Sequence, residues 1–144
     1  TTGRTTNTRK LLMNYPLDTN VCIQFITGRS IALKEKIEAA DISSLFICSI
    51  VRGELEYGAR KSNNPEKTLT ILKEFLACFP EISFDSAAAE CYGIIRAELE
   101  KQGTPIGPYD MQIAAIALTH NFTLVTHNIK EFQRIKNLRI EDWE

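Results

Sequence analysis

Three carboxylates and an amide, Asp18, Glu54, Asp110 and Asn128, separated by 36, 56 and 18 positions, are the residues of this chain best placed to do chemistry. Each stands where the sequence pattern changes. Asp18 ends the apolar stretch Tyr15 to Leu17 and is followed by Thr19 and Asn20, while Asn128 follows Phe122 to Val125 after Thr126 and His127. Glu54 lies near the start of an amphipathic stretch opened by Ser49, and Asp110 begins another just after Pro105 and Pro108. On a helix Asp110 would share a face with Ala114 and Ala117, four and seven positions on, and that face packs inward. A first-turn aspartate gains at most about 1 kcal/mol from the helix dipole at a surface, a benefit that needs no buried face. Glu54, taken alone, reads equally well as a solvated surface acid.

If these strand ends and helix starts gather at one edge of a parallel sheet, all four side chains can meet outside the carboxyl ends of the strands, where open α/β sheets bind ligands. Three carboxylates in one cleft repel, and they do not all stay ionised without a counter-charge. No lysine or arginine falls within the motifs; Arg52 and Lys130 stand nearby on expected outer faces. A hard divalent cation on oxygen ligands is the simplest remedy, and magnesium or manganese keeps waters and takes substrate phosphates. Paired-histidine chemistry is not expected. His120 ends a helix, and His127 points away from Asn128 if its strand alternates.

The elements that must hold these groups alternate along the chain. Strands are expected at Tyr15 to Leu17, Leu45 to Cys48, Glu81 to Phe84, Phe122 to Val125 and, as an edge, Leu138 to Ile140. Leu45-Phe46-Ile47-Cys48 has the continuous apolar character of a strand buried on both faces. Pro16 is awkward in the first strand because proline donates no ladder bond. Helices are expected from Thr19 to Gly28, from Ser30 with Ile31, Leu33 and Ile37 inward, from a Ser49 cap with Val51, Leu55 and Gly58-Ala59 inward, from Pro65, from Asp85-Ser86 to Gly103, and from Asp110. A short helix follows Asn128. The alternation predicts an α/β fold, a three-layer α/β/α sandwich with a mostly parallel central sheet of four to five strands.

With 144 residues, 44% hydrophobic and 24% charged, the chain has ordinary globular composition for one domain. No apolar run approaches the roughly 20 residues of a membrane span. Residues 1–12 differ: they carry Arg4, Arg9 and Lys10 and no acid. They read as a disordered leader, added or read through from upstream, ahead of a native start at Met13, in preference to an RNA-binding arm or targeting segment; 13–144 is the expected domain. Without them the formal charge goes from −1 to −4, so nucleic-acid binding would need a local patch. Cys22, Cys48, Cys78 and Cys91 form no CxxC pair, and their apolar surroundings suggest buried free thiols suited to a reducing cytoplasm.

Taken together, Leu17-Asp18-Thr19-Asn20, Gly53-Glu54-Leu55 with Gly58-Ala59, Gly107 and Asp110 with Ile113-Ala114-Ala115, and Thr126, Asn128 and Phe132 resemble the VapC-type PIN-domain toxins of bacterial toxin–antitoxin pairs. The resemblance runs from Met13 to Glu144, and Tyr92, Arg96, Leu99, Gly103 and Trp143 also fall at family-like places. It implies a metal-dependent endoribonuclease using Mg2+ or Mn2+ to hydrolyse single-stranded regions of RNA, a transfer RNA or a ribosomal RNA. Asp18, Glu54 and Asp110 would be the metal-binding acids and Asn128 would take a fourth place that is aspartate in many PIN domains. Thr19 would orient Asp18 or a water, and Asn20 would cap the helix or brace Asp18. Candidate RNA contacts are Arg52, Arg96, Lys101 and Lys130. A small antitoxin of the VapB type, entering the acidic cleft, and a homodimer are further implications. The alternatives within the fold are an RNA-processing nuclease outside any toxin pair and a silent partner-binding domain, which three intact acids disfavour. A phosphatase or receiver on a similar sheet would want an acid at Asn20 or paired acids by the first strand, and neither pattern is present.

Overall fold

In the computed structural model, which describes residues 13–144, five short strands lie parallel. They are β1 (Tyr15–Pro16), β2 (Leu45–Cys48), β3 (Glu81–Ile82), β4 (Thr123–Val125) and β5 (Arg139–Glu141). Registers pair Tyr15 with Leu45, Ile47 with Glu81 and Thr123 with Arg139, and Leu17 bridges to Val125. The resulting order is 3-2-1-4-5. The chain therefore winds outward from β1 in one direction, returns after β3, and winds outward again through β4. The switch in direction lies between β1 and β4.

Among the described residues seven α-helices connect the strands: α1 (Thr19–Thr27), α2 (Ile31–Ala39), α3 (Ser49–Lys61), α4 (Pro65–Leu76), α5 (Ser86–Gln102), α6 (Pro108–Thr119) and α7 (Ile129–Phe132). Right-handed crossovers with this strand order put α1 to α4 on one face and α5 to α7 on the other. The helix neighbours agree: α1 lies beside α2 and α3, α3 beside α4, and α5 along α6. Leu17, Ile47, Val51, Ile113, Ile116, Leu124, Val125 and Phe132 are almost fully buried between the layers. The α6 helix is the most enclosed. Met111, Ile113, Ala114, Ala115, Ile116 and Ala117 are all buried, the signature of a helix covered on every side.

Local signals explain most boundaries. Asp18 caps α1, and Gly28 ends it in the left-handed conformation at φ 67°. Ser30, Asn64 and Asp85 cap α2, α4 and α5 by accepting N–H bonds from Leu33, Lys67 and Ala88. Three expectations are corrected. Ile31 is 76% exposed, because only Leu33 and Ile37 of α2 reach the core. Ser49 is not a cap; its hydroxyl accepts the Phe84 N–H at 3.0 Å, tying the end of β3 to the start of α3. Cys22 and Cys48 are buried free thiols as expected, but Cys78 is exposed and Cys91 only half-buried.

Pro16 is accommodated by a local gap. Leu17 donates to Phe46 of β2 at 2.9 Å and Asp18 donates to Val125 of β4 at 3.0 Å, so alternation points the Pro16 nitrogen toward β4. One bond between β1 and β4 is lost there. The ladder is carried on either side by Thr123 N–H to the Asn14 carbonyl at 3.1 Å and by Asp18 itself.

The expected leader falls outside the described residues. No helix among the described residues is long and apolar enough to cross a membrane.

Candidate active site

Asp18 leaves β1 at the switch point and is only 6% exposed. Both of its carboxylate oxygens are held: Oδ1 accepts the Thr19 N–H at 2.9 Å and Oδ2 accepts the Thr126 hydroxyl at 2.8 Å. Thr126 is itself fully buried at the end of β4, and its Oγ1 also accepts the Asn128 N–H at 3.0 Å. One threonine thus fixes both sides of the switch. The Thr19 hydroxyl turns the other way and donates to Glu54 Oε1 at 2.9 Å, joining α1 to α3.

Asp110 enters from the first turn of α6, which touches α3. Its carboxyl is pushed up to about 7, first by burial and then by Asp18, Glu131 and Glu54, and in that protonated state it donates to Glu131. Burial also raises Asp18 and Glu54 above the ordinary carboxylate range, against the hydrogen bonds from Thr126 and Thr19. Glu131 moves the opposite way, because it accepts from Asn128 Nδ2 at 2.7 Å and from the Gly107 N–H at 3.2 Å.

The four residues singled out from sequence therefore gather at one mouth, together with a fifth. Asp18 and Glu54 are near enough to Asp110 to push its carboxyl up electrostatically, and Asn128 contributes by gripping Glu131 with its amide. Glu131 was not foreseen. Its one sequence signal is its place three residues after Asn128, one turn along a four-residue helix too short to show periodicity. Thr126 was noted only as part of a motif, and its grip on Asp18 depends on the β1–β4 adjacency.

Asn20 neither caps nor braces: Asp18 caps α1, and Asn20 is exposed. Of the basic residues, Arg52 is bound to Glu81 at 2.9 Å, and Arg96 to Glu100 and Tyr92 at 3.0 Å each. Lys101 and Lys130 are exposed on α5 and α7. His127 joins Asp142 at 3.0 Å and stands 3.8 Å from Glu144 at the surface, away from the acids.

Four carboxylates converge here, and among the described residues none of Asp18, Glu54, Asp110 and Glu131 forms an ion pair with a lysine or arginine. Arg134 is near enough to lower Glu131 only slightly, as a minor influence. Burial and the neighbouring acids together push the Asp110 carboxyl up to about 7, which favours a proton there. A hard cation would replace that proton, and an all-oxygen donor set of this kind fits magnesium or manganese. Among the described residues no three of the cleft acids bring oxygens within 4.8 Å of one another, whereas His127, Asp142 and Glu144 do so at the surface.

The PIN domain profile matches residues 15–138. The tRNA(fMet)-specific endonuclease VapC of Salmonella typhimurium is 41% identical over 132 residues, covering 92% of this chain and 99% of that protein. Ribonuclease VapC2 of Rickettsia felis is likewise 41% identical, with the same coverage. Among solved structures, DNA-bound VapBC from Salmonella typhimurium superposes with a TM-score of 0.87, covering 92% of this chain and 100% of that one. VapBC2 from Rickettsia felis bound to a promoter DNA fragment gives 0.86 at 41% identity, with the same coverage. Sequence, fold and the ordered set of acids at the β1–β4 switch agree: this chain belongs to the PIN-domain family, among its VapC-type ribonuclease toxins.

Proposed function

We propose that the protein is a Mg2+- or Mn2+-dependent endoribonuclease that hydrolyses phosphodiester bonds in single-stranded regions of RNA in the cytoplasm. The observation that carries this reading is the gathering of Asp18, Glu54, Asp110 and Glu131 at the end of β1, with none of them in an ion pair with a lysine or arginine among the described residues. A bound divalent cation would supply Lewis-acid stabilisation of the phosphate and would acidify the attacking water. The chain's own residues supply the geometry. Thr126 keeps Asp18 aimed out of the strand end, Thr19 keeps Glu54 turned toward it, and Asn128 with Gly107 holds Glu131 against Asp110. Asp18, Glu54 and Asp110 would hold the ion, and Asp110, pushed up to about 7, would have to be deprotonated to do so.

The substrate we favour is initiator transfer RNA, by likeness to the Salmonella enzyme. For a partner we propose a VapB-type antitoxin. An apolar groove of about 440 Å3 between α1, α3 and α4, lined by Ile23, Ile26, Leu55, Ala59, Ile71 and Leu72, opens beside Glu54. A peptide seated there could carry a cationic side chain to the acids. A homodimer is part of the same proposal.

The test is cleavage of RNA by the purified protein with Mg2+ or Mn2+. Cleavage is expected to stop in excess chelator and in Asp110→Asn, with circular dichroism unchanged. Full activity in chelator would overturn the metal mechanism. Sequencing the RNA ends that accumulate on expression of wild type, but not of Asp110→Asn, identifies the substrate.

A further inference from the structure

Of the four tyrosines, two have structural work. Tyr15 packs its ring against Trp143 at 5.1 Å between centroids, and Tyr92 meets Phe84 and accepts from Arg96. The other two are different. Tyr57 and Tyr109 are 66% and 59% exposed, and neither hydroxyl has a hydrogen-bond partner among the described residues. Both line one open cleft of about 640 Å3, together with Thr19, Asn20, Ile23 and Glu54. That volume is within the range of clefts that hold a small ligand.

Chain position ties each ring to a site acid. Tyr57 is three residues after Glu54 on α3, hence on a neighbouring part of the same face, and Tyr109 immediately precedes Asp110. Lys61 covers one face of the Tyr57 ring with its ammonium 5.7 Å from the centroid, and no other ring packs against Tyr57 among the described residues. No lysine or arginine lines the cleft. Arg52 and Arg96 are occupied by acids of their own faces. The lining of this cleft therefore offers the phosphates of a polyanion no cationic side chain. Two open aromatic faces beside the acids offer the other source of affinity for single strands, base stacking, which tolerates sequence and leaves the phosphate free for the metal.

We propose that Tyr57 and Tyr109 stack on unpaired nucleobases flanking the scissile phosphate, and that Asn20 between them presents its amide to a base edge. Asn20 is exposed, lines the same cleft, and carries both a donor and an acceptor. This inference rests on the ribonuclease reading and adds the residues that position its substrate.

The experiment uses the full chain and a single-stranded RNA carrying 2-aminopurine, whose fluorescence is quenched on stacking. Binding is followed with Glu54→Gln, silenced for cleavage, with and without Tyr57→Ala, Tyr57→Phe, Tyr109→Ala or Tyr109→Phe. Cleavage is followed in the same tyrosine variants with Glu54 intact. Each alanine variant is expected to lose quenching and to raise KM about ten- to a hundredfold, with kcat changed less, and each phenylalanine variant to behave as wild type. The ratio of alanine variant to wild type is expected to hold from low to high salt, because stacking releases no counterions. Unaltered quenching and KM in both alanine variants would overturn the proposal while leaving the ribonuclease reading intact. Quenching lost on tyrosine removal, in a wild-type protein that cleaves no RNA, would instead overturn the ribonuclease reading. Alanine variants that cleave normally but are no longer inhibited by an antitoxin peptide would assign the two rings to a protein interface, again overturning stacking.

Discussion

Asp18 and Asp85 are the same residue type in the same local setting, each following a strand and capping the helix that comes next. Asp85 lies beyond β3 at the edge of the sheet, is exposed, and accepts the Ala88 N–H at 2.9 Å, as an ordinary cap does. Asp18 lies beyond central β1, is buried, and accepts from Thr19 and from Thr126, a residue 108 positions away. Its ionised form is disfavoured by burial and favoured by those bonds, with burial the larger influence. Local sequence made both of them caps. Position in the strand order made one of them chemistry, because the gap between diverging crossovers opens beside β1 and not beside β3.

The sharpest way to break this contrast is to neutralise both. Asp18→Asn is expected to lower RNA cleavage at least about a hundredfold with the fold retained, whereas Asp85→Asn leaves cleavage unchanged; turnover assays alongside circular dichroism decide it. A comparable loss in Asp85→Asn would mean that capping, not location, accounts for Asp18. Next in size, Thr126→Val removes the hydroxyl that fixes Asp18 and receives the Asn128 N–H. A tenfold to hundredfold drop in cleavage is expected, the scale seen when a supporting shell is cut from a metal site.

A smaller effect appears in pH-dependent stability. Asp110 in the metal-free protein keeps its proton up to about 7, while the unfolded chain releases it near the ordinary value of 3.8. The folded state then binds more protons between those values, so stability falls as pH rises through that window and is greatest below it. Asp18 and Glu54 push in the same direction. The lowered carboxylates Asp41 and Glu131 oppose it only below the unfolded glutamate range, so the interval from about pH 5 to 7 isolates the effect. Thermal melts in chelator are expected to show a falling melting temperature across that interval, and Asp110→Asn to flatten the slope. The smallest effect belongs to Asp85→Ala, about 1 kcal/mol of stability from the lost cap, or a few degrees in melting temperature, with no change in cleavage.

Much of this was legible from residue order. The helix from Thr19 to Gly28, the strand Leu45–Cys48, the cap at Asp85 and the inward face of Asp110 all follow from short-range rules, and the structure has them. The misses share a cause. Ile31 is as apolar as Leu33, yet α2 has only part of one face against the core, and exposure is a property of what packs alongside. Ser49 has the right type to cap α3 but serves Phe84, a partner 35 residues on. Glu131 is one acid among many until Asn128 and Gly107 close on it. Short-range rules place elements, and the site was visible to the extent that its residues sit at element ends. The bonds between its members cross the sheet and are written in no local pattern.

The missing donor at Pro16 has a consequence for how the protein should fail. Strands β3, β2 and β1 form one bonded ribbon and β4 with β5 another, and the seam between the two is the one that lacks a ladder bond at the proline. Asp18, Thr19 and Glu54 ride on the first ribbon, Thr126, Asn128 and Glu131 on the second. The reactive geometry is thus a record of how the two halves are docked, and a slip of an ångström between them would disperse it while each half kept its helices. Mild heat or denaturant should silence such a molecule before it melts, and the activity lost in that interval should return on cooling as the halves settle back into register.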